Sequence, residues 1–298
     1  MSSSSLKYIP RIKAYYEALG YETPYVWAKL RDVAFTQLCR PLAQARIGII
    51  TTGAPFREGA GDQGANAPHN GLAKFFRVFA SPIEPEPDLR ISHIAYDRVH
   101  TLALDQRTYF PLRALMAMAQ QDIIGCVSPR YYGLPTNRSQ RITTDVDGPA
   151  LVDMCKADGV DGVVLVPNCP VCHQSVALAA NVLEFAGIAT VVMGCARDIV
   201  EHVGAPRLLF SNFPLGNSAG LPQDRNSQLE TVRMALLMLE NANAPRRTQQ
   251  SPLKWSGAAD WQKDYANADI LSREEISSRR AAFDAVKEEA RAKTLEID

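Results

Sequence analysis

VDGVVLVPNCPVCHQS, residues 160–175, decides how this chain is read. Gly162 to Val166 supplies small and apolar β-formers, and Pro167-Asn168 breaks the run. Cys169 is then placed to cap a helix whose first position is Pro170, where a missing N–H is not needed. Val176, Ala180 and Leu183 recur at helical spacing up to Gly187, a natural stop. A buried strand feeding a helix through a short polar turn is the repeating unit of a parallel sheet.

In that geometry Cys169 and Cys172 share the first helical turn, close to unsatisfied N–H groups and the positive end of the helix dipole. Such settings bring a cysteine pKa down from about 8.5 to roughly 7 or below. One thiolate could attack and the other resolve the product as a disulfide. The same spacing is half of a zinc site, and buried structural cysteines are a third reading. His173 points about 100° away from Cys172 on a helix, a poor direction for joining the same site. No second C-x2-C or H-x3-H completes a tetrahedron.

Outward from this unit, strands are expected at 45–54, 89–96, 161–166, 188–194 and 207–210. Helices are expected near 72–79, 109–120, 144–157, 175–185, 198–202 and 229–239, and 129–133 (PRYYG) reads as a turn. Residues 8–40, rich in aromatics, read as two helices forming a cap. The glycines at 53, 59, 61, 64 and 71 mark a long loop, read as a substrate-covering lid without a Walker or dinucleotide pattern. Residues 245–252 look like a linker, Trp255, Trp261 and Tyr265 like exposed anchors, and Ser272 to Glu275 like a capping box opening a charged last helix. That arm is too thin to fold alone, so it is expected to pack on the body or on a second copy in a homo-oligomer.

The expected fold is α/β, with parallel sheets flanked by helices and two similar Rossmann-like halves enclosing a cleft. The boundaries are 1–44 (helical cap), 45–150 (first half), 151–244 (second half with the CxxC) and 245–298 (C-terminal arm and helix). Ligands of such sheets bind beyond the carboxyl ends of the strands. That rule gathers Thr51, Thr52, Gly53, Asn168, His173 and Cys195 as substrate-binding candidates beside Cys169 and Cys172. His93, Asp97 and His100 form an H-x3-D-x2-H pattern that could bind a metal or supply acid–base chemistry. A strand ending at Tyr96 would scatter these side chains, so one of the histidines or Asp97 is expected to reach the cleft as a general acid, and Asp97 and His100 are taken as the acid–base candidates.

Thirty-two basic and thirty-two acidic residues balance, with a pI near 7.0, so no nucleic-acid or anionic-membrane footprint is present and a small-molecule substrate is expected. No apolar run approaches membrane-span length, and Met1 to Ser5 lack the features of a signal peptide, which points to the cytoplasm. Six cysteines are too few for a disulfide scaffold. Cys39, Cys126 and Cys155 read as small buried hydrophobes.

The segments AYYEALGY, TPYVWAKL, DVAFTQL, ARIGIITTGAP, HIAYDRVHT, YFPLRALMA, IGCVSPRYYG, VDGVVLVPNCPVCHQS and FSNFPLGNSAG follow one another along residues 12–240. In that order the chain resembles the selenoprotein family of glycine/sarcosine/betaine reductase component B and D-proline reductase. The resemblance implies that a cysteine, Cys169 in preference to Cys172, stands where family members carry selenocysteine. It also implies reductive cleavage of a carbon–heteroatom bond, with a pyruvoyl-bearing reductase subunit as partner.

The expected function is therefore a thiol-dependent reductase with Cys169 as nucleophile and Cys172 as resolving thiol. No cofactor is expected in the chain itself, and reducing equivalents would come from an external thiol or a thioredoxin-like donor. The rival readings are a cysteine-based isomerase, racemase or lyase without net redox change, and a zinc-dependent hydrolase or binding protein.

Overall fold

The computed structural model describes residues 5–60, 73–257 and 260–295. In chain order its strands are β1 (Arg46–Thr51), β2 (Ala54–Pro55), β3 (Phe79–Pro82), β4 (Leu89–Arg90), β5 (Cys126–Val127), β6 (Arg130–Gly133), β7 (Gly162–Val166), β8 (Ala189–Gly194), β9 (Arg207–Phe210) and β10 (Arg247–Gln250). The α-helices are α1 (Tyr8–Ala18), α2 (Leu112–Gln120), α3 (Gln140–Ile142), α4 (Gly148–Ala157), α5 (Pro170–Phe185), α6 (Arg197–Val203), α7 (Arg225–Asn241), α8 (Trp261–Asp264) and α9 (Arg273–Leu295). A π-helical turn, Thr143–Asp147, leads into α4.

Eight strands form one mostly parallel sheet in the order β10-β9-β8-β7-β1-β6-β3, with β5 also beside β1. The runs RIGIIT, GVVLV, ATVVMG and RLLF are almost wholly buried, as strands covered on both faces must be. β1 pairs with β7 from Ile47↔Gly162 to Thr51↔Val166, which brings the expected halves into a single sheet rather than two facing across a cleft. From β1 the chain runs to β5 and β6 on one side, then crosses to β7 on the other and continues outward through β8, β9 and β10. The topological switch point therefore lies between β1 and β7. Helices α4, α5 and α6 pack in one group with α1, and α2 packs with α7.

Several expectations are corrected. Residues 129–133 form strand β6, parallel to β1 at Ile50↔Tyr132 and antiparallel to β3 at Ala80↔Tyr132. Residues 89–96 contribute only β4, paired with β2 outside the main sheet. The segment from Ala73 to Phe79 is not α-helical, and the lid reading falls mainly on residues 61–72, outside the described residues. The linker-like stretch carries edge strand β10, parallel to β9. Trp261 is buried, and Cys39 is exposed, bonding Asp161 at 3.2 Å, while Cys126 is half-buried against Arg46.

The N-terminal segment forms one helix, α1, and residues 22–40 then run without helix across α5. From Pro170 to Ala180 every α5 residue except Val171 is buried, so the helix is covered on its outer side as well as by the sheet. Three polar residues on one face fasten the strap: Gln174 Oε1 accepts from Ala28 N at 2.7 Å, Asn181 Oδ1 from Ala34 N at 3.1 Å, and Glu184 Oε2 from Thr36 N. Spacings of seven and three residues keep the three side chains in one row. Glu184 also accepts from Thr190 N at 2.6 Å and from fully buried Arg207 at 2.7 Å, and Arg207 reaches on to Thr36 O at 2.7 Å. Buried charges persist only when satisfied in this way.

The C-terminal arm docks on the body. Ser272 Oγ accepts from Glu275 N at 3.1 Å and Glu275 Oε2 from Ser272 N at 2.8 Å, the expected capping box. Arg280 donates to Leu19 O at 2.7 Å, Tyr21 donates to Asp284 at 2.6 Å, and Phe283 meets the Tyr16 ring edge-on. Among the described residues no helix is long and apolar enough to cross a membrane.

Candidate functional site

The carboxyl ends of the parallel strands carry Thr51 and Thr52 (β1), Asn168 and Cys169 (after β7), Cys195 (after β8) and Ser211 (after β9). Cys169 has extended backbone and caps α5: its sulfur accepts from Cys172 N at 3.2 Å, and Pro170 opens the helix. The two cysteines pair as a disulfide with Cα atoms 4.9 Å apart, and both are buried. Thr136 Oγ1 donates to Cys172 Sγ at 3.4 Å. The sulfurs therefore lie at the N–H end of a sixteen-residue helix, beside the switch point, where a developing thiolate is favoured.

His173 is fully buried and holds the surrounding backbone. Its Nδ1 is 2.7 Å from Cys169 O, and its Nε2 accepts from Cys195 N at 2.9 Å and Ala196 N at 3.1 Å. That pattern fixes the neutral tautomer with the proton on Nδ1, and burial pushes the imidazole pKa down to about 4. Both ring nitrogens are occupied by backbone groups. Gly194 permits the approach: a Cβ there would sit 3.0 Å from His173 Cδ2.

Cys195 lies below this loop with its sulfur 3.6 Å from Ser218 Oγ, and burial pushes its thiol up to about 12. Burial thus favours its protonated form at neutral pH. Thr51 Oγ1 accepts from Gly53 N at 3.0 Å and donates to Tyr109 O at 3.2 Å, which closes the turn after β1. Thr52 Oγ1 accepts from Asn168 N at 3.1 Å and so ties the ends of β1 and β7 together. The Asn168 side-chain amide is completely buried, with neither its oxygen nor its nitrogen hydrogen-bonded, and Ser211 Oγ is in the same condition. Orphaned buried amides are rare, and this one adjoins the cysteine pair in sequence.

Asp97 and His100 pair with each other, Nδ1 of His100 lying 3.0 Å from Asp97 Oδ1 and its Nε2 3.2 Å from Asp264. Asp97 also accepts from the backbone of Val99 and His100, and burial pushes its carboxyl up while His100 opposes the rise. The histidine beside the sulfurs is instead His93: the ligand atoms of His93, Cys169 and Cys172 all lie within 4.8 Å of one another, a group to which Asp97, His100 and Cys195 do not belong. The sequence does not announce Thr136, beside Cys172, and it presents His93 only as one member of a three-residue pattern. The H-x3-D-x2-H pattern contained the signal for His93, but only the fold separates it from its two neighbours.

The chain is a distant homologue of reductase subunits. It is 27% identical to D-proline reductase subunit gamma of Acetoanaerobium sticklandii over 142 residues, 47% of this chain and 58% of that protein. It is 27% identical over 193 residues to the glycine reductase complex component B subunit gamma of Carboxydothermus hydrogenoformans, 64% of this chain and 44% of that one. With the corresponding subunit of Peptoclostridium acidaminophilum the identity is 23% over 202 residues, 67% of this chain and 46% of that one. The chain thus spans about half the length of the curated relatives it matches, each of which is by its name a subunit of a reductase. No protein-family model and no solved structure matches the sequence.

Proposed function

We propose that this protein is a thiol-dependent reductase that cleaves a carbon–heteroatom bond of a small electrophilic substrate, with Cys169 as nucleophile and Cys172 as resolving thiol. The observation that carries the reading is the cysteine pair at the N-terminus of α5, where Cys172 N–H donates to Cys169 Sγ. A donor already aimed at the sulfur favours its thiolate, and the second sulfur is within bonding reach.

The chemistry balances with the dithiol as reductant. Cys169 Sγ bonds to the substrate carbon as the carbon–heteroatom bond breaks, and the heteroatom leaves with a proton. Cys172 Sγ then attacks Cys169 Sγ, the carbon–sulfur electron pair returns to carbon, and carbon takes up a proton. The products are the reduced substrate, the protonated leaving group and the Cys169–Cys172 disulfide. An external thiol or a thioredoxin-like donor in a reducing compartment restores the dithiol. The Asn168 amide is the substrate-facing donor, supported by its burial and open valence. By analogy with the named relatives, which are subunits of reductases, the chain works beside a partner reductase subunit.

The test is single turnover of pre-reduced protein with candidate substrates, followed by mass spectrometry of the intact chain. Cys172→Ser is expected to accumulate a covalent adduct on Cys169, and Cys169→Ser to form neither adduct nor product. Turnover by both single variants at the wild-type rate would sink the proposal.

A further inference from the structure

His93 reaches the cysteine pair from the segment that follows β4, far from α5 in sequence. It is 8% exposed, with Cys169 at 4% and Cys172 at 0%, so the three donors face one another away from bulk water. Tetrahedral zinc, with bonds of about 2.3 Å to sulfur and 2.0–2.1 Å to nitrogen, holds such donors roughly 3.5–3.8 Å apart. Here every pair lies within 4.8 Å and the two sulfurs are joined, so reduction lets the sulfurs move apart by rather more than an ångström, to the spacing an ion needs, with His93 on the third corner. In the disulfide the sulfurs are poor ligands, whereas as thiolates they are soft donors that select zinc-like ions over magnesium or calcium.

We infer that reduction of the Cys169–Cys172 disulfide creates a binding site for a thiophilic divalent cation of the zinc class, ligated by His93, Cys169 and Cys172 with a fourth position open. Two thiols release two protons as two metal–sulfur bonds form, no electrons move, and the resulting centre of two thiolates, one neutral imidazole and a dication carries no net charge. A neutral centre is what a buried site tolerates. Thr136, donating to Cys172 Sγ, and His173, holding Cys169 O, orient the two thiolates from outside the ligand set. Cys195 and His173, the other nearby donors, take no part: one is outside the triangle and the other has both nitrogens occupied. Metal and disulfide are then mutually exclusive, and the ion holds the pair reduced while it blocks the nucleophile.

The inference rests only on the reduced pair and needs no substrate, so it can fail while reductive turnover stands. The full chain, reduced with a phosphine, is titrated with zinc against a chromophoric chelator, and with cobalt to read sulfur-to-metal charge transfer. One equivalent is expected to bind the reduced chain and none the disulfide form. His93→Gln is expected to weaken binding by at least about 100-fold while the free-thiol count stays unchanged. X-ray absorption of the zinc-loaded wild-type chain, which does not depend on how any variant folds, should show two sulfur neighbours and a histidine nitrogen. Failure of the reduced chain to bind more tightly than the disulfide form, equal affinity in folded His93→Gln, or a metal shell without histidine would overturn the inference.

Discussion

His173 Nδ1 lies 2.7 Å from the carbonyl oxygen of Cys169, four residues earlier, while its other nitrogen accepts two backbone N–H groups from the turn after β8. One imidazole thus joins the cap of α5 to the end of the neighbouring strand, and the cysteine pair inherits its backbone geometry from that junction. Replacing His173 with Leu leaves the buried N–H groups of Cys195 and Ala196 without partners, each worth about 1–3 kcal/mol, while Cys169 O keeps its bond from the backbone N–H of residue 173. Urea denaturation of the disulfide form should show a loss of roughly 2–4 kcal/mol. A loss under about 1 kcal/mol would mean that water replaces the ring.

Gly194→Ala tests the same junction from the other side. The added methyl would sit 3.0 Å from His173 Cδ2 and 3.2 Å from Nε2, on a ring tied to backbone groups through both nitrogens. An overpacking cost of about 1–3 kcal/mol is expected in the same denaturation measurement, and a stability equal to wild type would show that the ring can move.

Alkylation separates the thiols. Burial pushes both Cys155 and Cys195 up to about 12, so both stay protonated at pH 8, whereas Cys39 is exposed. Brief iodoacetamide treatment of the native disulfide form, mapped by peptide mass spectrometry, should label Cys39 and spare Cys155 and Cys195. After reduction, new labelling should appear on Cys169. Labelling of Cys195 at the rate of Cys39 would contradict its buried, protonated state.

The π-helical turn before α4 contributes a pH dependence. Burial pushes the Asp147 carboxyl up to about 6, against the opposing hydrogen bond from Asn137 Nδ2 at 3.0 Å. The folded state holds this proton more tightly than the unfolded chain, so the stability it contributes is complete below about pH 3.9 and is lost as pH rises through about 6. Asp147→Asn removes the penalty of ionising a buried carboxyl. The variant should exceed wild type by up to about 3 kcal/mol at pH 7, with the gain vanishing near pH 4. A gain independent of pH would assign the effect to packing instead.

Arg207→Ala probes the strap over α5. It abandons Glu184 in a fully buried site and removes the donor to Thr36 O. Breaking such a pair costs about 3–5 kcal/mol, readable as a shift in the denaturation midpoint. Enhanced proteolysis within residues 22–40 should accompany it, and resistance there would show that Gln174 and Asn181 suffice.

The central strands and the thiol site were legible because local pattern and burial agree. GVVLV, ATVVMG and RLLF are continuous apolar runs, and Cys169-Pro170 carries its own helix-start chemistry. What stayed hidden depends on distant partners. β6 resembles a turn because Pro129 and Gly133 bracket it, yet pairing with β1 and β3 makes it a strand. β10 is the polar string RTQQ, held as an edge by backbone bonds to β9, with no side-chain periodicity to announce it. The aromatics of 22–40 suggest helices, while the residues that hold this stretch straight are Gln174, Asn181 and Glu184 on α5. His93 is distinguished from His100 only by where the fold delivers it.

The strap also sets an order of events during synthesis. Its backbone partners on α5 and β9 lie from 146 to 171 residues further along the chain. Residues 28–36 therefore leave the ribosome with nothing to hold them, meet their first partners when α5 is made and are fully fastened only once β9 has followed. Long-range contacts of this kind form late and leave early segments exposed. A nascent chain stopped before Pro170 would have its strap segment made with no α5 to lie on, so the cover of the cysteine turn is synthesised long before the helix it covers.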